Sequence, residues 1–229
     1  MKFNSKIMHK PSYPLLERIF YRPIASTMTP SIAKMGISPT VMNFFGFFVG
    51  IIGITLIAFG DYWSRVLGAG ILILSYIFDC VDGQLARGFK LTNGFGALLD
   101  TTLDSIKESL IFFALAWTYY LQTHDKYIFL YLAALLFLQR MFGRTLPWYQ
   151  LSFGQKVEEI KKDALSHLPK LMRLPAYFFS EGYRSGTIWL IIFLGVVTNE
   201  IKLTFGYFII VIFSLFLFLL IRAYGQSKT

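Results

Sequence analysis

Six apolar stretches restrict the fold of this chain more than any other feature: Thr40–Phe59, Val66–Ala86, Phe95–Leu121, Tyr127–Gly143, Ala176–Thr198 and Leu203–Ile221. A hydrocarbon core about 30 Å thick takes about 20 apolar residues of helix to cross. The fourth stretch has room to extend toward Trp148, and the fifth is interrupted in its first half by Glu181 and Arg184. Composition agrees. Only 15% of the 229 residues are charged and the mean hydropathy is +0.55, whereas soluble domains carry about a quarter charged residues. The expected fold is an all-α integral membrane protein of about six transmembrane helices. One membrane domain would cover residues 40–229, after a juxtamembrane segment of residues 1–39.

That first segment has no continuous apolar core and contains Pro11, Pro14, Pro23 and Pro30, so it does not read as a cleavable leader. Leu15, Leu16, Ile19 and Phe20 fall at helical spacing among Glu17, Arg18 and Arg22. This fits an interfacial amphipathic helix lying on the membrane surface; a short soluble cap is the alternative. Cys80 is the only cysteine, so no disulfide can form within the chain, and it reads as a small apolar residue.

Lysine and arginine in the loops set the orientation. With a cytoplasmic N-terminus, the outer connections carry only Arg65, Lys126 and Lys202, while Arg87, Lys90, the 156–173 segment and both termini hold most of the remaining positive charge. The expected location is the cell (inner) membrane with both termini cytoplasmic. The net charge of +9 reflects this bias and contact with anionic lipid heads rather than nucleic acid.

Acidic residues inside membrane helices are expensive and mark function by default. The second and third stretches hold Asp79, Asp82, Asp100, Asp104 and Glu108. Asp79, Asp82, Gly83 and Ala86 share one helical face, as do Gly96, Asp100 and Asp104 on the next helix. A hairpin through Gly88–Gly94 brings both aspartate pairs to one depth. Four facing carboxylates repel, so some take up protons or a cation sits among them. Hard divalent ions shared with substrate phosphates match the second option, and paired metals can clamp both oxygens of a phosphoryl transfer. Arg87 lies one turn past Asp82–Gly83, placed to hold a diphosphate through two hydrogen bonds. Gly83 and Gly96 remove side chains where a ligand approaches closely.

The run Asp79-x2-Asp82-Gly83-x2-Ala86-Arg87-x8-Gly96-x3-Asp100-x3-Asp104 resembles the signature of the CDP-alcohol phosphotransferases at every defined position. The resemblance implies Mg²⁺ or Mn²⁺, two ions, held by Asp79, Asp82 and Asp100. It also implies Asp104 at the metal site as the base that activates an acceptor hydroxyl. Gly83, Ala86, Arg87 and Gly96 would form the surface for a CDP-linked donor, with Asn93 as a further donor contact. Members often carry Pro-Asn-x-x-Thr before the first span; here Pro39-Thr40-Val41-Met42-Asn43 has the two polar residues exchanged, and Pro39 is the expected contact to cytidine. The implied activity is transfer of a substituted phosphate, from CDP-diacylglycerol or alternatively a soluble CDP-alcohol such as CDP-inositol, to an alcohol acceptor with release of CMP. A non-catalytic ion transporter or membrane scaffold is the reading from another class. An ion path does not require the Gly-x-x-Ala-Arg portion.

Arg140, Arg144 and Arg184 lie near the expected cytoplasmic ends of the fourth and fifth stretches. They read either as snorkelling side chains or as a cationic wall for an acceptor phosphate. Lys107 and Glu108 read as a structural pair or packing group. Gly46-x-x-x-Gly50 permits close helix approach within the chain or at a dimer seam, and a homodimer is the expected assembly.

Overall fold

The computed structural model describes residues 3, 13–153 and 185–226, and among these every regular element is a helix. A π-helical turn, Glu17–Tyr21, leads into α1 (Arg22–Lys34). There follow α2 (Pro39–Phe59), α3 (Tyr62–Gly88), α4 (Gly94–Thr123), α5 (Ile128–Phe153), α6 (Ser185–Val197) and α7 (Ile201–Gln226). By length and composition α2, α3, the Ile128–Leu146 part of α5 and the Ile201–Ile221 part of α7 can cross a bilayer; within α6, Gly186–Val197 is a shorter apolar helix. At 30 residues α4 has ample length, but Asp100, Asp104, Lys107 and Glu108 lower its apolar character. Of the expected Ala176–Thr198 stretch, residues 176–184 lie outside the described residues.

Local chemistry explains the helix ends. Ser38 and Asp61 cap α2 and α3 by accepting from the backbone N–H of Val41 and Ser64. Hydrogen bonds from Ser64 hold the Asp61 carboxyl below its ordinary range. Pro39 occupies the first turn of α2, where its missing N–H is harmless. Lys90, His124 and Asn199 adopt the left-handed conformation (φ 57°, 56° and 56°) just past α3, α4 and α6. After α3, Leu91 N donates to Ala86 O and Lys90 N to Arg87 O, and after α6, Glu200 N donates to Gly195 O and Asn199 N to Val196 O. This paired bonding satisfies the last carbonyls and turns the chain sharply.

The chain divides into two compact units: Met1–His124 with Ser185–Ile201, and Asp125–Arg184 with Lys202–Thr229. In the first, α2 packs on α3 through glycines. A Cβ built on Gly53 would stand 2.7 Å from the Gly68 carbonyl oxygen, and one on Gly46 would stand 3.3 Å from Phe78 Cβ. Ser75 Oγ donates to Gly46 O at 2.7 Å across the same seam, and Thr118 Oγ1 of α4 donates to Ile57 O of α2 at 2.6 Å. Gly46 and Gly50 therefore serve packing within the chain. The opposite face of α2 leaves Phe48, Ile52 and Phe59 largely exposed, as a lipid-facing surface requires.

The N-terminal helix keeps its apolar residues outward, as expected of an interfacial amphipathic helix, and packs on the protein through a face that the sequence reading did not single out. Glu17, Tyr21, Ala25 and Thr29 form its buried stripe. Tyr76 donates to Glu17 Oε1 at 2.9 Å, Tyr21 OH to Gly186 O at 2.8 Å, and Thr29 Oγ1 lies 2.6 Å from Gln84 Oε1. Ile19, Phe20 and Ile24 remain on the outer face. The protein thus binds this helix through polar partners and leaves its apolar face for lipid. In the second unit, Lys202 Nζ meets Asp125 Oδ2 at 3.1 Å, and Leu219 of α7 packs against Phe142, Leu146 and Ala223.

Candidate metal and phosphate site

The Asp79–Asp104 hairpin forms where the sequence expects it, with α3 ending at Gly88 and α4 starting at Gly94. One carboxylate oxygen each from Asp79, Asp82 and Asp100 lie within 4.8 Å of one another. Asp82 is 7% exposed, and its Oδ2 has no hydrogen-bond partner among the described residues. Leaving a charged, buried oxygen without a donor is costly. Three carboxylates gathered this tightly repel as anions, and a cation between them would relieve that repulsion. The donors are all hard oxygens, which suits Mg²⁺ or Mn²⁺. The residues therefore fit a divalent metal.

Asp104 stands apart from this trio. It lies one turn further along α4 and is 40% exposed, and its Oδ1 sits 2.8 Å from Lys107 Nζ. Lys107 is 4% exposed. Its stem fits the space left by Gly50, where a Cβ would come within 3.0 Å of Lys107 Cδ. The ion pair of Lys107 seen here thus runs to Asp104, at i−3, rather than to the adjacent Glu108. Neighbouring residues on a helix do not face each other, whereas residues three apart do.

A second carboxylate contact comes from outside the hairpin. Asn43 Nδ2, one turn into α2, donates to Asp100 Oδ1 at 2.8 Å. Pro39 stands one turn earlier on the same helix, half-buried. Gly83 and Arg87 are neighbours at i and i+4, and a Cβ on Gly83 would touch the Arg87 guanidinium at 3.4 Å. Ala86 and Gly96 are half-buried. Asn93 caps α4, its Oδ1 accepting from Gly96 N at 2.7 Å.

Arg87 also meets a group that the sequence reading passed over. Its Nη2 donates to Tyr13 OH at 3.4 Å, and the Tyr13 ring lies 4.4 Å from the Arg22 guanidinium. Arg22 in turn binds Glu17 Oε2 through Nε and Nη2 at 3.2 and 3.1 Å, and Cys80 O through Nη1 at 3.3 Å. The N-terminal helix therefore places a second, half-buried guanidinium beside the site. The available signal was Glu17 and Tyr21, polar groups at i and i+4 flanking Ile19 and Phe20. Arg140 and Arg144 are exposed on α5, one turn apart. Arg184 lies outside the described residues.

The chain matches a family model described as CDP-alcohol phosphatidyltransferase over residues 37–224. It is 29% identical over 114 residues to the phosphatidylinositol phosphate synthase of Mycobacterium tuberculosis, which is 49% of this chain and 51% of that protein. It is 32% identical over 114 residues to the archaetidylinositol phosphate synthase of Pyrococcus horikoshii, which is 49% of this chain and 53% of that protein. The chain thus spans about half the length of the curated relatives it matches. Among solved structures, the M. tuberculosis phosphatidylinositol phosphate synthase with CDP-DAG bound superimposes with a TM-score of 0.52 at 18% identity, covering 85% of this chain and 90% of that one. The same enzyme with manganese and citrate gives 0.51 at 18% identity, covering 87% and 88%. At such identities the superpositions establish a shared fold.

Proposed function

The chain belongs to the CDP-alcohol phosphatidyltransferase family, and from that premise we propose that it transfers a phosphatidyl group from CDP-diacylglycerol to an alcohol and releases CMP. The observation that carries this reading is the buried Asp82 Oδ2, which has no hydrogen-bond partner among the described residues, inside a trio of carboxylates. A proton path or a packing device does not require the Gly83-x-x-Ala86-Arg87 portion that accompanies these acids. Asp79, Asp82 and Asp100 would hold the divalent ions, Mg²⁺ or Mn²⁺, two of them, whose chemistry is to neutralise phosphate oxygens and the leaving group.

The residues divide the remaining work. Arg87 binds the donor diphosphate through its guanidinium, and Gly83 lets the diphosphate approach α3 closely. Pro39, Ala86, Asn93 and Gly96 line the donor side. Asp104 accepts the proton of the acceptor hydroxyl through the carboxylate that Lys107 holds in place. The acceptor oxygen then forms a bond to the diacylglycerol-linked phosphorus as the bond from that phosphorus to the bridging oxygen breaks, and CMP leaves with that oxygen. General-base assistance of this kind contributes about 10²–10⁴ in rate. Arg140, Arg144 and Arg184 are proposed for the acceptor. The names of the relatives make an inositol phosphate the first acceptor to test.

The test is CMP release by the purified protein with Mn²⁺ or Mg²⁺, CDP-diacylglycerol and a panel of alcohols headed by inositol phosphate. Turnover that stops on chelation is expected. Turnover with a soluble CDP-alcohol and none with CDP-diacylglycerol would reverse the donor assignment. Full activity in excess EDTA, with no tightly held metal, would overturn the metal reading.

A further inference from the structure

Asn43 has no role in the reaction scheme above, yet it donates 2.8 Å to a carboxylate of the acidic trio from a helix that contributes no aspartate. We propose that Asn43 is a positioning residue that fixes the plane of the Asp100 carboxylate for divalent metal binding, an inference that rests on the metal reading of the site.

Three features support this role. The helix that carries Asn43 is held rigidly where it begins to face the site. Gly46, one turn on, is in contact with α3 and accepts from Ser75 Oγ at 2.7 Å, and Gly50 leaves room for the Lys107 stem. Second, a carboxylate with one oxygen bound to an amide N–H can no longer turn freely about its Cβ–Cγ bond. Groups behind metal ligands act in this way, setting ligand orientation. Third, the donor is neutral. An ammonium at this position would neutralise Asp100 and repel the cation, as Lys107 does for Asp104. An amide orients the ligand and leaves its full charge for the metal. Asn43 is also one of the two positions, with Thr40, at which this chain departs from the Pro-Asn-x-x-Thr pattern.

The experiment measures Mn²⁺ binding to the purified full chain in detergent, by electron paramagnetic resonance titration, for the parent, Asn43→Leu and Val41→Ala. Leucine is close to asparagine in shape and has no donor; Val41 is 59% exposed on the same turn. Substituting groups behind metal ligands typically weakens affinity about 10–100-fold. That range is expected for Asn43→Leu, with Val41→Ala within about twofold of the parent. Activity should follow as a raised Mn²⁺ requirement, with turnover largely recovered at saturating metal. In an Asp100→Asn background the further effect of Asn43→Leu should vanish, because both act through one carboxylate. A purely structural role predicts the reverse: lowered thermal stability, unchanged Mn²⁺ affinity and additive losses in the double variant. If Asn43→Leu does not survive purification, Asn43→Ser, whose side chain is too short for the bond, is measured in the same way. Unchanged affinity in a folded Asn43 variant overturns this inference alone. A parent chain that binds no Mn²⁺ overturns the metal reading together with it.

Discussion

Asp82 and Asp104 carry the same functional group in opposite settings, and their variants should separate accordingly. Asp82 is almost fully buried, with an oxygen that has no partner among the described residues, whereas Asp104 is 40% exposed and already paired with Lys107. Asp82→Asn removes charge from the centre of the trio and should weaken Mn²⁺ and CDP-donor binding together. Asp104→Asn keeps the shape and one carbonyl oxygen but accepts no proton. It should lose most turnover, about 10²-fold or more, while still binding the donor in the presence of metal. Donor binding by calorimetry alongside CMP release distinguishes the two. Parental turnover in Asp104→Asn would remove the base assignment. If neutralising any of the four aspartates left catalysis alone and stabilised the protein, the acids would be ordinary buried charges, whose replacement is often stabilising.

Among the helices, the contact between α2 and α3 depends on glycines in a way that can be measured. Gly53→Ala would push a Cβ to 2.7 Å from the Gly68 carbonyl oxygen, a backbone atom with no rotamer to yield. Overpacking of this kind costs about 1–3 kcal/mol. Gly70→Ala, in α3, meets nothing within 4 Å and should be neutral or stabilising by about 0.5–1 kcal/mol from helix propensity. Thermal unfolding in detergent compares them, and equal effects would remove the seam as the cause. Much of this level was legible in the sequence. Long apolar runs define α2, α3, α5 and α7 because lipid leaves one period and one length. The aspartate spacing defines the hairpin because α3 and α4 are regular. Contacts between distant residues were not legible. Asn43 and Asp100 are 57 positions apart, Tyr76 and Glu17 59 apart, and neither pair has a local signature. The protein-facing side of the N-terminal helix was not legible for a different reason. Its apolar residues mark the lipid side, and its protein side is built from Glu17, Tyr21 and Thr29, which periodicity in hydrophobicity cannot detect.

At the scale of the whole molecule, the loop charges predict which end of the helices meets the cytoplasm, and with it the side on which the donor must be supplied. The last turn of α3 carries Arg87 and the turn between α3 and α4 carries Lys90, while the turn after α4 carries Lys126 as its only lysine or arginine. Positive side chains resist translocation, so the hairpin end should be cytoplasmic and Lys126 external. Lys90 and Lys126 are both exposed and suit cysteine labelling. Cys80, the sole native cysteine, is buried and can be replaced by serine. In that background, Lys126→Cys should react with an impermeant maleimide in intact cells, and Lys90→Cys only after the membrane is opened. The reverse pattern would invert the protein and place the carboxylates on the external face, away from a cytoplasmic supply of nucleotide-linked donor. Labelling of both sites in intact cells would mean that α4 does not separate the two turns. Its Asp100, Asp104 and Lys107 would then belong to a water-filled vestibule rather than to a membrane-spanning helix.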